Sequence, residues 1–163
     1  MVGVSSRHGA TTEIAHRIAA RLRERGHTAD VFRLDERPPI AAFDAFVIGS
    51  AVYMGQWRRS ARRFVDRHHD ELRGRPIFLF SSGPLEPDDV GIEQRRVDWL
   101  TTVLGALDHR LFAGALDESK LGPAEKAVIR MVDAETGDHR PWDEIDAWAD
   151  EIADHLDRTT TPS

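Results

Sequence analysis

The sequence predicts a doubly wound α/β domain, in which helices cover both faces of a parallel sheet. Short apolar segments alternate with longer segments whose apolar residues recur every three or four positions. Two of the short segments, 45–49 and 76–80, are almost continuously apolar, as expected of strands buried on both faces. The length of 163 residues fits one domain with a core large enough to fold without a disulfide.

The first half of the chain contains two predicted strands and one predicted helix. Segment 2–4 is a very short first strand, and the helix that follows has an apolar face made of Ile14, Ile18 and Leu22. Gly26 is placed to end this helix. Residues 29–34 alternate like a strand with one exposed face, and the two prolines at 38 and 39 close the unit.

The second half repeats the alternation three times. The strand at 45–49 precedes a helix whose apolar face is made of Trp57, Ala61, Phe64, Val65 and Leu72. The strand at 76–80 precedes a helix around 100–107, and residues 110–115 are the last strand. Pro141 suits the first turn of the final helix, whose apolar face is made of Trp142, Ile145, Ala149, Ile152 and Leu156.

Residues 1–158 are therefore expected to form the domain, with an insertion at about 116–140 and a disordered tail at 159–163. Inside the insertion, Leu121, Ala124, Val128, Met131 and Val132 predict a short amphipathic helix.

Composition excludes several classes of function. The chain has no cysteine, which excludes disulfides, thiolate metal sites and cysteine nucleophiles. Its net charge of -6 argues against a general nucleic-acid binder, and no segment is apolar enough to span a membrane or act as a secretory signal. We therefore expect a cytoplasmic protein. The histidines show no metal-ligand spacing, no G-x-S-x-G motif is present, and neither a metal site nor a catalytic acid or base is predicted.

The loop after the first strand, residues 5–12, is the clearest candidate binding segment. It places hydroxyl groups, a glycine and several backbone N–H groups at the N-terminus of a helix, which is what a phosphate needs. Neither G-x-G-x-x-G nor a GKS or GKT sequence is present, which disfavours a dinucleotide or a nucleoside triphosphate. A monophosphate held by neutral donors fits this loop, and an ordinary serine-rich turn is the alternative.

The six residues from Ser6 to Thr11 resemble the phosphate loop of flavodoxins, Ser/Thr-x-Thr-Gly-x-Thr, with His8 replacing a hydroxyl residue. Segments 47–55, 112–116 and 137–142 are similar to a flavodoxin-like branch that includes the quinone-linked protoporphyrinogen dehydrogenases. In that branch a G-D-x-R-x-W-D motif precedes the last helix, as it does here at Gly137. The resemblance implies a five-stranded parallel sheet of order 2-1-3-4-5 and bound FMN.

The same resemblance implies three groups of FMN-binding residues. The phosphate would be surrounded by Ser6, Arg7, His8, Gly9, Ala10 and Thr11. The isoalloxazine would be lined by Ser50, Ala51, Val52, Tyr53, Met54 and Gly55, with Tyr53 or Trp57 stacked on the ring. The pyrimidine edge would face Ser81, Ser82, Gly83 and Pro84.

The implied function is an oxidoreductase that moves electrons from a reduced donor through FMN to a quinone-like acceptor. Arg58 and Arg62, one helical turn apart, are candidates for holding the carboxylates of a tetrapyrrole substrate, and a solvated helix face is the alternative. The insertion would contact substrate or a membrane surface, or it would simply pack on the sheet edge. An electron carrier without a substrate of its own and a flavin-free binding domain remain open.

The first predicted strand, residues 2–4, is unusually short. Either the true start lies upstream of Met1, or an inner strand is trimmed and the phosphate loop that it orients is loosened.

Overall fold

The central sheet of the protein is parallel and five strands wide. A computed structural model describes residues 1–53, 56–83, 100–116 and 137–160, with the backbone alone for Tyr53, Leu116 and Thr160. The strands are β1 (Val2–Ser5), β2 (Val31–Arg33), β3 (Phe46–Tyr53), β5 (Ile77–Gly83) and β6 (Asp108–Ala113). Their order is β2-β1-β3-β5-β6, and a two-residue strand, β4 (Gln56–Trp57), pairs antiparallel with β3. Counting the parallel strands alone, this is the predicted order 2-1-3-4-5.

Helices cover both faces of the sheet, which confirms the doubly wound prediction. Helices α1 (Ala10–Glu24) and α3 (Trp142–Thr160) pack on one face, against Val47, Phe78 and Phe80. Helix α2 (Arg59–Leu72) and the helical residues 100–104 pack on the other face, against Phe46, Ile48 and Leu79. Successive residues of β3 and β5 therefore contribute to opposite cores, as the period of two in a strand requires.

Gly49 in β3 makes room for an aromatic side chain on the face of the sheet that α1 and α3 cover. A Cβ atom at Gly49 would lie 2.0 Å from Cζ of Phe80, so the buried Phe80 ring occupies the space above the glycine. The ring is in turn close to Phe112 and Trp148, at centroid distances of 6.3 and 6.2 Å. An aromatic cluster thus joins β5 and β6 to α3.

Helices α1 and α3 are also joined at the surface by a ladder of ion pairs. Arginines at four-residue intervals on α1 meet aspartates at four-residue intervals on α3, in the pairs Arg17–Asp146, Arg21–Asp150 and Arg25–Asp154. The pairs are partly exposed and screened by solvent, so each stabilises the contact between the two helices only weakly.

Several element boundaries differ from the sequence-based prediction. β3 and β5 extend beyond their apolar runs to Tyr53 and Gly83, because serines continue the ladders. Trp57 belongs to β4 rather than to the helix that follows. α3 continues to Thr160, two residues beyond the predicted domain boundary, and residues 161–163 lie outside the described part.

The ends of the predicted insertion are joined by a two-stranded antiparallel ladder. β7 (Ala115–Leu116) pairs with β8 (Gly137–Asp138), which brings the chain back beside β6 before α3 begins. The helix predicted from Leu121 to Val132 lies outside the described residues. In the part of the chain that the structure describes, no helix has the length and apolar character needed to cross a bilayer.

Candidate functional site

The three predicted binding loops begin at one edge of the sheet. In the parallel ladders Ser5 of β1 is paired with Ser50 of β3, and Ser50 is paired with Ser81 of β5. The chain leaves all three strands in the same direction from this row of serines. The segments that follow these serines are therefore neighbours at the carboxyl edge, where open α/β sheets bind ligands.

The loop between β1 and α1 leaves the N-terminus of the helix uncapped by any side chain. Gly9 is the N-cap residue, with φ 95° and no side-chain hydrogen bond to the first turn. Its carbonyl oxygen accepts the first helical hydrogen bond, from the Glu13 N–H at 3.0 Å. Helix geometry leaves the N–H groups of Ala10, Thr11 and Thr12 without an acceptor inside α1. These groups, together with the helix dipole, are suited to an anion.

Gly9 is needed for the conformation of this loop and not for space. A Cβ atom at Gly9 would have no atom within 4 Å, so the surroundings are open, but the positive φ disfavours any other residue. The Gly9 N–H donates to Oγ of Ser6 at 3.2 Å, which folds the loop back on itself. Among the predicted phosphate ligands, Thr11 is only 2% exposed, whereas Arg7 is exposed and Ser6 and His8 are half-buried.

The row of serines has a structural role that sequence reasoning missed. Oγ of Ser50 accepts the N–H of Arg58 at 3.0 Å, which ties the N-cap of α2 to the sheet. Oγ of Ser81 accepts the indole N–H of Trp57 at 2.7 Å. The two hydroxyls are therefore occupied inside the protein, although both residues are among the predicted FMN ligands. The sequence does contain a sign of this role, because one serine directly follows the apolar residues of each of the three strands.

Trp57 is in the core, which corrects the expectation that it is a candidate for stacking on a flavin. It is 4% exposed and packs with Phe64 and Leu79 between the sheet and α2. Tyr53 remains the predicted stacking residue, and its backbone ends β3 at the correct edge. The side chain of Tyr53, and the predicted ligands Met54, Gly55 and Pro84, lie outside the described residues.

Two glycines, Gly83 and Gly114, allow the backbones at the ends of β3, β5 and β6 to pack closely. A Cβ atom at Gly83 would lie 3.2 Å from the carbonyl oxygen of Val52, and one at Gly114 would lie 3.4 Å from the backbone of Gly83. The Gly114 N–H also donates to the Gly83 carbonyl at 3.0 Å. The ends of β3, β5 and β6 are therefore in backbone contact beside the predicted ring site. Ser82, in the same segment, is buried.

The start of α2 concentrates positive charge at this edge. Arg58 is half-buried at the N-cap, whereas Arg59, Arg62 and Arg63 are exposed, and the first turn contains no acidic residue. Within the described ranges, none of the four forms an ion pair, in contrast to the arginines of α1. Arginine at the positive end of a helix dipole is electrostatically unfavourable, so helix stability does not explain this cluster.

The G-D-x-R-x-W-D motif lies against the first turn of α1. The guanidinium of Arg140 donates to both carboxylate oxygens of Asp138, at 2.7 and 2.6 Å. It lies 4.5 Å from the centre of the Trp142 ring and reaches Oε2 of Glu13 at 2.6 Å. Hydrogen bonding from Arg140 is the main cause that lowers the pKa of Asp138 from 3.8 to about 2. The motif thus joins β8 to the helix that follows the predicted phosphate loop.

The described residues contain no group of three or more His, Asp or Glu side chains that could hold a metal ion.

Comparisons with known proteins agree with this architecture. Residues 1–142 match the model of the flavodoxin domain family. A flavodoxin from Bacillus cereus superposes with a TM-score of 0.64 at 17% identity, covering 95% of this chain and 97% of that chain. A WrbA-like flavodoxin from Agrobacterium tumefaciens gives a TM-score of 0.64 at 14% identity, covering 96% of each chain.

One curated relative is more similar in sequence over a shorter stretch. The protoporphyrinogen IX dehydrogenase [quinone] of Escherichia coli is 34% identical over 79 residues, 47% of this chain and 44% of that protein. The match thus spans less than half the length of this relative. The family match covers most of the chain, and the two solved structures superpose on nearly all of it. This chain therefore belongs to the flavodoxin domain family.

Proposed function

We propose that the protein binds FMN at the carboxyl edge of its sheet and transfers electrons through it. The observation that carries this proposal is the N-terminus of α1, where Gly9 caps the helix without a side chain. A phosphate monoester fits this donor set, because the loop offers backbone N–H groups, the hydroxyl of Ser6 and no lysine. The residues expected to hold the phosphate run from Ser6 to Thr11.

The remaining contacts would come from the segments after β3 and β5. Residues 51–55 are expected to line the isoalloxazine and residues 82–84 its pyrimidine edge, since the first segment starts beside the phosphate loop and the second starts beside the first. The hydroxyls of Ser50 and Ser81 already bond within the protein, so we expect these two residues to contribute through their backbone.

A bound flavin would supply the redox chemistry of the proposed function. The sequence contains no cysteine, and the described residues hold no metal-ligand cluster. The role of the protein would be to bind and orient the cofactor and to set the electrostatics around it.

The proposal extends to a tetrapyrrole electron donor and a quinone-like acceptor. The similarity to a protein named as a quinone-linked protoporphyrinogen IX dehydrogenase supports it, over 47% of this chain. Arg58 and Arg62, at the start of α2, would hold the propionate groups of the porphyrinogen by forked hydrogen bonds. Neither arginine forms an ion pair with a carboxylate of the described residues, which is consistent with this role.

The first experiment is a titration of the purified protein with FMN, followed by absorbance and by flavin fluorescence. We expect saturable binding and a higher melting temperature with excess FMN. If neither appears, the flavin-free alternative replaces both redox functions.

The second experiment separates the dehydrogenase from a simple electron carrier. The FMN-loaded protein is mixed with protoporphyrinogen IX and a soluble quinone, and porphyrin fluorescence is followed. Arg62→Gln should raise KM for the porphyrinogen while FMN affinity stays unchanged, and Arg17→Gln, an exposed arginine on the opposite face, should change neither. Electron transfer from a reduced partner without porphyrinogen oxidation would favour the carrier.

A further inference from the structure

We infer that Arg140 is a positioning residue for the phosphate loop, and that it sets the preference of the protein for FMN over riboflavin. This inference rests on the proposed FMN site. It concerns a residue that does not belong to the predicted loop and is separated from it by about 130 positions in the sequence.

Arg140 is held firmly enough to position a neighbouring element. Its side chain is only 9% exposed, although it carries a full charge. The two bonds to Asp138 fix the plane of the guanidinium, and the Trp142 ring covers one of its faces. A guanidinium held on two sides loses little conformational entropy when it makes further bonds.

The same guanidinium contacts α1 at its first residue. Nη1 of Arg140 donates to the carbonyl oxygen of Ala10 at 3.4 Å and to Oε2 of Glu13 at 2.6 Å. Ala10 follows Gly9 directly, and its N–H is one of the groups expected to bind the phosphate. Arg140 therefore fixes the backbone of the turn that must be aligned on the ligand.

Arg140 also controls the charge beside the expected phosphate. Glu13 lies in the first turn of α1, where its carboxylate would repel a bound dianion. Asp138 contributes a second carboxylate close by. Arg140 pairs with both, so its removal would leave both carboxylates without their cation and would add one net negative charge next to the phosphate loop.

Riboflavin, which lacks the phosphate, provides the test. In Arg140→Gln, FMN affinity should fall roughly tenfold, by an amount typical of a lost interaction with a charged group, while riboflavin affinity stays within about twofold. The matched control is Arg110→Gln. Arg110 is likewise bonded to two carboxylates, those of Asp108 and Glu151, but its bonds join β6 to α3 and not to α1. It should change neither affinity.

A second substitution tests the electrostatic part of the inference. Glu13→Gln, added to Arg140→Gln, should restore part of the lost FMN affinity, because one uncompensated charge has been removed. If the bond between Arg140 and Glu13 only held β8 against α1, adding Glu13→Gln would restore no FMN affinity, because the double variant still lacks both partners of that bond. Arg140→Lys, which retains the charge without the fork, should lie between the wild type and Arg140→Gln, and it serves if the glutamine variant fails to fold.

Two results would overturn the inference: an unchanged ratio of FMN to riboflavin affinity in Arg140→Gln, whether neither affinity falls or both fall equally, or no recovery in the double variant. Each leaves the proposed function intact as long as the wild type binds FMN. A wild type that binds no flavin refutes the proposed function itself, and the inference with it.

Discussion

Gly9→Ala is expected to reduce the stability of the protein by about 1–2 kcal/mol and to weaken FMN binding at least tenfold. The new methyl group would meet no atom within 4 Å, so steric overlap contributes nothing. The cost comes from the backbone alone, because an L-residue at φ 95° is disfavoured by about 1–2 kcal/mol. If the loop relaxes to avoid that strain, the N–H groups of the first turn move away from the phosphate. Loss of one hydrogen bond to a charged group, about 1.5–3 kcal/mol, corresponds to roughly ten- to a hundredfold in affinity.

The other end of the same helix offers a matched control. Gly26 has φ 92°, and a Cβ atom at this position, as at Gly9, would have no atom within 4 Å. It ends α1 in a Schellman motif, in which the N–H of Gly26 bonds to Arg23 and the N–H of His27 bonds to Leu22. Gly26→Ala should therefore cost the same stability and leave FMN affinity unchanged.

The assay combines thermal unfolding with an FMN titration by fluorescence quenching. For a chain of 163 residues, about 1–2 kcal/mol corresponds to a decrease in Tm of roughly 2–8 °C. Both variants should show this decrease without ligand, and Gly9→Ala alone should require more FMN. Wild-type FMN affinity in Gly9→Ala, or an equal loss of affinity in the two glycine variants, would refute a role of the Gly9 conformation in binding.

Three further predictions test the packing, the acid response and the assignment of the aromatic residues. Gly49→Ala, whose Cβ would lie 2.0 Å from the Phe80 ring, should lower the free energy of unfolding in urea by about 1–3 kcal/mol, and an unchanged midpoint would contradict the packing described. The Asp138 carboxylate has a lowered pKa, so its contribution to the free energy of unfolding is complete above pH 3.8 and is lost as the pH falls through about 2. When the free energy of unfolding in urea is measured at each pH, Asp138→Asn should lack this part of the decrease. Trp57→Phe should lower the free energy of unfolding by about 1 kcal/mol through its lost hydrogen bond and leave FMN affinity unchanged. Tyr53→Ala should weaken FMN binding. The opposite pattern would make Trp57, and not Tyr53, the residue that stacks on the flavin.

The fold could be predicted from the sequence because its main signals are local. The continuous apolar runs that start β3 and β5 identify buried parallel strands, and the four-residue spacing from Ile14 to Leu22 identifies the helix packed against them. The loop that we propose for the phosphate could be placed at the carboxyl edge for the same reason. A serine-rich segment between a predicted strand and a predicted helix can occupy only the carboxyl edge of such a sheet.

The details of the site depend on register and could not be predicted in this way. Ser81 bonds to Trp57, 24 residues earlier in the chain, and only the pairing of β3 with β5 brings the two together. Polar residues at a ligand-binding edge are easily interpreted as ligands, although here the Ser50 and Ser81 hydroxyls anchor neighbouring elements. Arg140 and Glu13 are still further apart, at 127 positions, so no local pattern indicates that they meet.

The charges around the carboxyl edge favour an anionic ligand even though the protein as a whole is acidic. The net charge is -6, yet the N-terminal ends of α1 and α2, which both follow strands of the sheet, supply positive dipole ends to the same edge. Arg140 pairs with the one acidic residue in the first turn of α1, and α2, whose N-cap is Arg58 and whose first residue is Arg59, has no acidic residue in its first turn. Fold stability alone would place acidic residues at the start of α2. Arginines at the start of α2 instead lower the stability of the helix and raise the positive charge at the carboxyl edge. Such a departure is expected at a site that binds a phosphate or a carboxylate.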